Sequence, residues 1–141
     1  MDRLADLRAK FDTTPYAVFL GMKVVGLESG VARLSMQLRP EYLNWVGLIH
    51  GGAMISLADQ AFGCALNTLE RTYVAVHLST AFVAAPKADA TLTAEARVIR
   101  AGRQIGNVEI VVRDDTGRIV LESLGTSVAV EGLEAPASPT G

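Results

Sequence analysis

The sequence predicts an α+β protein in which an antiparallel sheet packs around one long buried helix. Six segments have the alternating or continuously apolar pattern of strands, and short turn sequences separate most of them. One proline-free segment in the middle of the chain has the length and the small apolar residues of a buried helix. Strands that follow one another through tight turns favour antiparallel pairing. The 141 residues correspond to about one domain.

The amino-terminal third predicts a short helix followed by two strands. Leu4, Leu7 and Phe11 have helical spacing, which indicates an amphipathic helix over about residues 2–13 that ends before Pro15. Strands are predicted over residues 22–27 and 31–39. In the second strand apolar and polar residues alternate, as expected for a sheet with one face on the core and one face in water.

The central helix is predicted over residues 51–70, because this segment is too long and too poor in β-branched residues for a strand. Four strands follow, over residues 73–84, 91–101, 105–113 and 119–130, with turn sequences between them. Residues 1–130 are therefore expected to form a single domain. The Pro-, Gly- and Ser-bearing residues 131–141 are expected to form a flexible tail.

Composition excludes several classes of protein. Half of the residues are hydrophobic and 20% are charged, which excludes a disordered chain. A net charge of −2 provides no general attraction for nucleic acid. The single Cys64 excludes an internal disulfide and, with only two histidines, argues against a zinc site. We find no signal peptide and no membrane span, and therefore expect a cytoplasmic protein.

A polar strip with one carboxylate runs along the otherwise apolar central helix. At about 100° per residue, Gly52, Ser56, Gly63 and Asn67 fall within about 80° of Asp59. An ionised carboxylate in apolar surroundings is costly unless it is paired or solvated. The carboxylate of Asp59 therefore either makes structural hydrogen bonds in the core or at a dimer interface, or it performs chemistry.

The residues at the start of the helix favour a chemical role for Asp59 over a structural one. The segment His50-Gly51-Gly52 places two residues without side chains in the first turn, where the N–H groups have no partner within the helix. Such N–H groups can bind an oxygen that develops negative charge. Gly52 and Asp59 are seven residues apart, or roughly 10 Å along the axis. This separation is long for one small reacting group, and it suits a site in which the carboxylate of one subunit meets the amide of another.

These residues form the motif N-x5-HGG-x6-D, from Asn44 through His50, Gly51 and Gly52 to Asp59. The motif and the element order resemble the hot-dog acyl-CoA thioesterases of the phenylacetyl-CoA (PaaI-like) group over about residues 20–130. The resemblance implies the hot-dog fold, an acyl-CoA substrate, a homodimer with shared active sites and a homotetramer of two such dimers. It implies no metal and no redox cofactor.

The resemblance also implies a role for each residue of the motif. Asp59 corresponds to the catalytic carboxylate, which acts as general base toward water or as nucleophile. The backbone N–H of Gly52 corresponds to the oxyanion donor. Asn44 corresponds to a residue that orients the water or the thioester, and His50 to one that shapes the helix entrance and contacts the substrate.

Further residues are implied in substrate binding. Gly51, Ser56 and Gly63 are candidates on the helix, and Arg100, Gly102 and Arg103 correspond to the turn that holds the CoA phosphates, for which the donor fork of arginine is well suited. The chain departs from its relatives at Ala75, where some carry a hydroxyl, and at His77, where relatives often carry an aspartate. His77 either lies beside Asp59 or faces solvent or an interface.

The sequence leaves two other functions open. One is a hot-dog enoyl-CoA hydratase or dehydratase. That reaction usually uses an aspartate or asparagine together with a histidine placed for proton transfer, and this pair is not found at the right spacing. The other is a non-catalytic module that binds CoA esters. The acyl group itself is not determined by the sequence, because residues of two subunits form the pocket walls.

Overall fold

A computed structural model describes residues 2–133 as one sheet, one long helix and two short amino-terminal helices. The elements are α1 (Arg3–Asp12), α2 (Pro15–Leu20), β1 (Met22–Glu28), β2 (Val31–Gln37), a single 3-10 turn (Pro40–Tyr42), α3 (Gly51–Asn67), β3 (Thr72–Phe82), β4 (Thr91–Ala101), β5 (Ile105–Arg113) and β6 (Ile119–Val130). The six strands form an antiparallel sheet in the order β1-β2-β4-β5-β6-β3. Of the tail expected over residues 131–141, the part from 134 onward lies outside the described residues.

The structure confirms the predicted strands, with the bounds of β4, β5 and β6 as expected. The long helix α3 ends at Asn67, three residues earlier than predicted. Thr68 terminates it, because its hydroxyl donates to the carbonyl of Ala65 and accepts the N–H of Gly30. This buried threonine therefore ties the end of α3 to the turn between β1 and β2.

The helix α2 is a correction to the sequence prediction, which ended helical structure before Pro15. Proline is favoured in the first turn of a helix, where its missing N–H has no partner to lose. Pro15 accordingly opens α2, and Gly21, with φ of 73°, ends it. Ala17 and Leu20 anchor the helix in the core.

The core lies between α3 and one face of the sheet. The helix buries residues along one side only: Met54, Leu57, Ala58, Ala61, Phe62, Cys64, Ala65 and Leu66. Phe62 packs directly on Gly125 of β6, where an added Cβ would lie 2.8 Å from its ring. Burial raises the pKa of the Cys64 thiol to about 12, which makes this cysteine an unreactive core residue.

The two edges of the sheet differ. The free edge of β1 is covered by α1, since Arg8 donates to the carbonyl of Val24 and Asp12 accepts its N–H. The free edge of β3 has no such cover among residues 2–133, and Val76 and Phe82 on this strand are each 57% exposed. An uncovered, apolar edge strand is a surface suited to pairing with another chain. Across the described residues, no helix is both long enough and apolar enough to cross a membrane.

Candidate active site

The polar strip predicted on α3 lies on the side of the helix that the sheet leaves open. Asp59 and Gly52 are exposed, and Ser56 and Gly63 are half-buried. On the opposite side Leu57 is fully buried. The apolar face of α3 is therefore used for folding, and the strip that carries its carboxylate remains accessible.

Asp59 has no hydrogen-bond or ion-pair partner among residues 2–133. Partial burial raises the pKa of its carboxyl group above the ordinary 3.8, and no neighbouring charge contributes to the shift. His77 is exposed on β3, so the alternative in which it faces solvent or an interface fits the single chain. A carboxylate destabilised by its surroundings and left without a partner is typical of functional sites.

The first turn of α3 is capped by the side chain of His50. The imidazole Nδ1 accepts the N–H of Gly52 at 2.9 Å, and the His50 carbonyl accepts the N–H of Ala53 at 3.0 Å. An Nδ1 that accepts a hydrogen bond places the proton of the neutral ring on Nε2. The amide of Gly52, expected to be the oxyanion donor, is thus engaged in this structure.

The free donor at the start of α3 is the N–H of Gly51, which has no acceptor within the described part of the chain. Sequence spacing could not distinguish the two amides, because the cap side chain chooses between neighbouring N–H groups. An added Cβ at Gly51 would lie 2.9 Å from the ring of Phe82, so only glycine fits here without displacing that ring. Sequence reasoning had not identified Phe82 as part of the site.

Asn44 shapes the loop that precedes α3. Its side-chain oxygen accepts the N–H groups of Val46 at 3.1 Å and Leu48 at 3.0 Å. Its backbone N–H donates to the Leu48 carbonyl at 2.7 Å. The side-chain NH2 group has no acceptor in residues 2–133, which leaves it available to a ligand.

The structure brings Asn44 and Gly51 together in one groove of about 490 Å³. Its other lining residues are mostly apolar: Leu48, Ile49, Met54, Phe82, Val83, Ala84, Ala85 and Pro86. Asp59 does not line this groove, because it follows Gly51 by eight residues, or about 12 Å along the helix axis. The amide and the carboxylate therefore do not meet within one chain.

The turn between β4 and β5 forms a separate cleft of about 580 Å³, which Arg100, Gly102 and Arg103 help to line. The carbonyl of Gly102 accepts the Tyr73 hydroxyl at 2.8 Å. The carbonyl of Arg103 accepts a guanidinium N–H of Arg71 at 2.7 Å. Sequence reasoning missed Arg71, which precedes β3 and meets this turn only in the folded chain.

The cap at His50 should contribute measurably to stability. Replacing His50 with alanine removes the acceptor of the Gly52 N–H and should lower the free energy of unfolding by about 0.5–2 kcal/mol. His50→Asn supplies another good cap residue and should retain most of that stability. Urea denaturation of the three proteins measures the effect, and equal stability of His50→Ala and the native chain would contradict the capping role.

Asp59→Asn should raise the melting temperature at pH 7. Partial burial destabilises the charged carboxylate of Asp59, whereas the asparagine side chain is neutral. The pKa of Asp59 in the folded state lies above the ordinary 3.8. As the pH falls, the folded state therefore takes up a proton before the unfolded state does, and the native protein gains stability. The advantage of the variant should therefore shrink toward acid pH. Thermal unfolding at several pH values tests this, with Asp6→Asn on the exposed side of α1 as the control that gains nothing.

Comparison with known proteins agrees with this architecture. Residues 46–121 match the thioesterase superfamily. The acyl-coenzyme A thioesterase PaaI of Escherichia coli is 31% identical over 124 residues, which cover 88% of this chain and 89% of the relative. The solved E. coli PaaI structure superposes with a TM-score of 0.84 over 88% of this chain and 90% of that chain.

Two further proteins are similar. The proofreading thioesterase EntH of Klebsiella pneumoniae is 34% identical over 128 residues, covering 89% of this chain and 93% of the relative. A hypothetical thioesterase of Streptococcus pneumoniae, solved with coenzyme A, shares the fold at 22% identity and a TM-score of 0.80, covering 86% and 95% of the two chains. The antiparallel sheet and the single long helix are thus the hot-dog fold, and the chain is a thioesterase that belongs to the thioesterase superfamily.

Proposed function

We propose that this thioesterase hydrolyses acyl-CoA, releasing a free carboxylic acid and CoA. The observation that carries the proposal is the unpartnered carboxylate of Asp59 on the open strip of α3, on the helix whose first turn presents a free amide. Among the relatives, E. coli PaaI is an acyl-CoA thioesterase by name, and the S. pneumoniae protein was solved with coenzyme A.

Asp59 supports two routes of hydrolysis. As a general base it takes one proton from water, and the water oxygen attacks the thioester carbon. As a nucleophile its own oxygen attacks, and water then hydrolyses the resulting anhydride. In both routes the C–S bond breaks and sulfur leaves as a thiolate. With a thiol pKa of roughly 8.5, that thiolate leaves without much help from a general acid.

The negative charge on the carbonyl oxygen would be received at the start of α3. The N–H of Gly51 is free, and the N–H of Gly52 becomes a second donor once the His50 imidazole turns away. The helix dipole favours the same charge. The free NH2 group of Asn44, in the same groove, supports a role in orienting the thioester or the water.

The separation of Gly51 and Asp59 supports a site shared by two chains. We propose a homodimer formed through the uncovered edge of β3, in which the carboxylate of one subunit faces the amide of its partner, and a homotetramer of two such dimers. Ser56 and Gly63, beside Asp59, would border the substrate. We assign the enzyme to the cytoplasm, where a lone cysteine stays reduced.

The CoA phosphates would bind at the turn between β4 and β5. Arg100 and Arg103 are exposed at its cleft and form no salt bridge within the described residues. The Arg71 hydrogen bond to the Arg103 carbonyl and the Tyr73 hydrogen bond to Gly102 hold the turn. Free guanidinium groups on a fixed turn suit phosphate, which they bind through paired donors.

Removal of the Asp59 carboxylate should abolish turnover. Asp59→Asn and Asp59→Ala should lower kcat by at least about 10², measured as thiol release with Ellman's reagent across aryl, medium-chain and long-chain acyl-CoAs. Because its pKa is raised, the acid limb of the native rate profile should lie above the usual range for aspartate. Asp6→Asn is the matched control and should keep full activity.

Three results would contradict this mechanism. Full activity of a folded Asp59→Asn would exclude the carboxylate from the reaction. Stoichiometric binding of acyl-CoA without thiol release would indicate a binding module. Hydration of an enoyl-CoA, followed by its absorbance, would indicate a hydratase.

Loss of the turn arginines should weaken recognition of the nucleotide part of CoA. Arg103→Ala and Arg100→Ala should raise KM for an acyl-CoA about tenfold, while KM for the matching acyl-pantetheine, which lacks the nucleotide, stays unchanged. Arg97→Ala, on β4 but paired with Glu95, is the control. Equal increases of KM on both substrates would argue against phosphate binding at this turn.

A further inference from the structure

The surroundings of Asp59 on its own helix are almost devoid of polar groups. Residues three or four positions away on a helix are neighbours, with Cβ atoms about 5–6 Å apart. For Asp59 these residues are Ile55, Ser56, Phe62 and Gly63. Ser56 is the only one of these four with a polar side chain.

Ser56 is part of a short hydrogen-bond chain that reaches out of the helix. Its hydroxyl donates to the carbonyl of Gly52 at 2.8 Å. The hydroxyl of Tyr16, on α2, lies 2.9 Å from the hydroxyl oxygen of Ser56. Since serine has one hydroxyl hydrogen and it is directed to Gly52, Tyr16 is the donor of the second bond. The tyrosine oxygen is left with free lone pairs and acts only as an acceptor toward its surroundings.

The backbone of α2 holds Tyr16 in place. Arg39 donates to the carbonyl of Phe19 at 2.9 Å, and Tyr42 donates to that of Leu20. The side chain of Leu20 is buried in the core, whereas Tyr16 remains 55% exposed. A fixed helix therefore presents an accessible phenol oxygen to the open strip of α3.

The strip is bordered on two sides. By helical geometry, Gly51 lies about 80° to one side of Asp59 and Ser56 about 60° to the other. Phe82 packs over Gly51, and Tyr16 contacts Ser56. Viewed down the helix axis, Asp59 therefore points between these two sides. Phe82 covers one side about 12 Å away along the axis, at Gly51. The Tyr16 hydroxyl lies on the other side, less than one turn away at Ser56. The Tyr16 side is the nearer one and is where a polar reactant can be held.

We propose that Tyr16 is a further active-site residue, whose phenol oxygen holds the hydrolytic water beside Asp59. This inference rests on the proposed hydrolysis. The water has two hydrogens: Asp59 takes one, while the other is held by the Tyr16 oxygen, whose own hydrogen is committed to Ser56. The held hydrogen stays on the water oxygen during attack and ends in the carboxylic acid product. Water also enters the nucleophilic route, so the role applies to both.

The test compares the native protein with Tyr16→Phe, which removes only the hydroxyl. We expect a roughly tenfold lower kcat in thiol release from an acyl-CoA with KM unchanged, as for the loss of one hydrogen bond made to the reacting water. Ser56→Ala should have the same kind of effect, because it releases the tyrosine hydrogen. The double variant should lose little more than either single one. Val18→Ala, 59% exposed on the same helix, should match the native protein.

Each other outcome overturns the inference. Native kcat in Tyr16→Phe, with Asp59→Asn inactive, rejects the water-holding role and leaves the hydrolase mechanism intact. A lower melting temperature with unchanged kcat shows that the hydrogen bond is only structural. Raised KM with unchanged kcat shows a binding contact instead. The native protein is assayed before any variant, and absence of thiol release from it rejects the proposed function and this inference together.

Discussion

The packing of one side of α3 against the sheet is the constraint on which the rest of the structure depends. The helix buries eight residues, and at Gly125 the sheet approaches so closely that Phe62 leaves no room for a Cβ. Such contact fixes both the rotation and the position of α3 along the sheet. Once the rotation is fixed, the strip with Asp59 must face outward, and the first turn must meet the groove beside Phe82.

This arrangement separates the two groups to which we assign the proposed hydrolysis. A helix supplies free N–H groups only in its first turn, whereas Asp59 lies more than two turns later. Neither group can move toward the other without breaking the helix or its packing. In the dimer that we propose, a second copy supplies the other half of the site, and the uncovered edge of β3 is the surface on which it would pair.

The open strip also illustrates a tension between stability and function. The surroundings of Asp59 raise its pKa without offering a compensating charge, and exposed apolar residues on β3 remain uncovered in the single chain. A chain selected for stability alone would replace this aspartate with a neutral residue. The polar contacts of the strip, in which His50 caps Gly52 and Ser56 joins Tyr16, lie along the same side of α3 and leave the carboxylate itself without a partner in the described part of the chain.

The sequence by itself determined the long helix and all six strands, and it singled out Asp59 as a candidate, because periodicity, turn residues and a lone acid among apolar residues are local patterns. It did not determine α2, since Pro15 is compatible with either the end or the beginning of a helix. Only the tertiary structure showed that His50 engages Gly52 and leaves Gly51 free, since this choice depends on a side-chain rotamer. The contact of Tyr16 with Ser56 joins residues 40 positions apart, and that of Arg71 with Arg103 joins residues 32 apart. Pairings of this kind arise from how elements pack, and no local pattern in the sequence contains them.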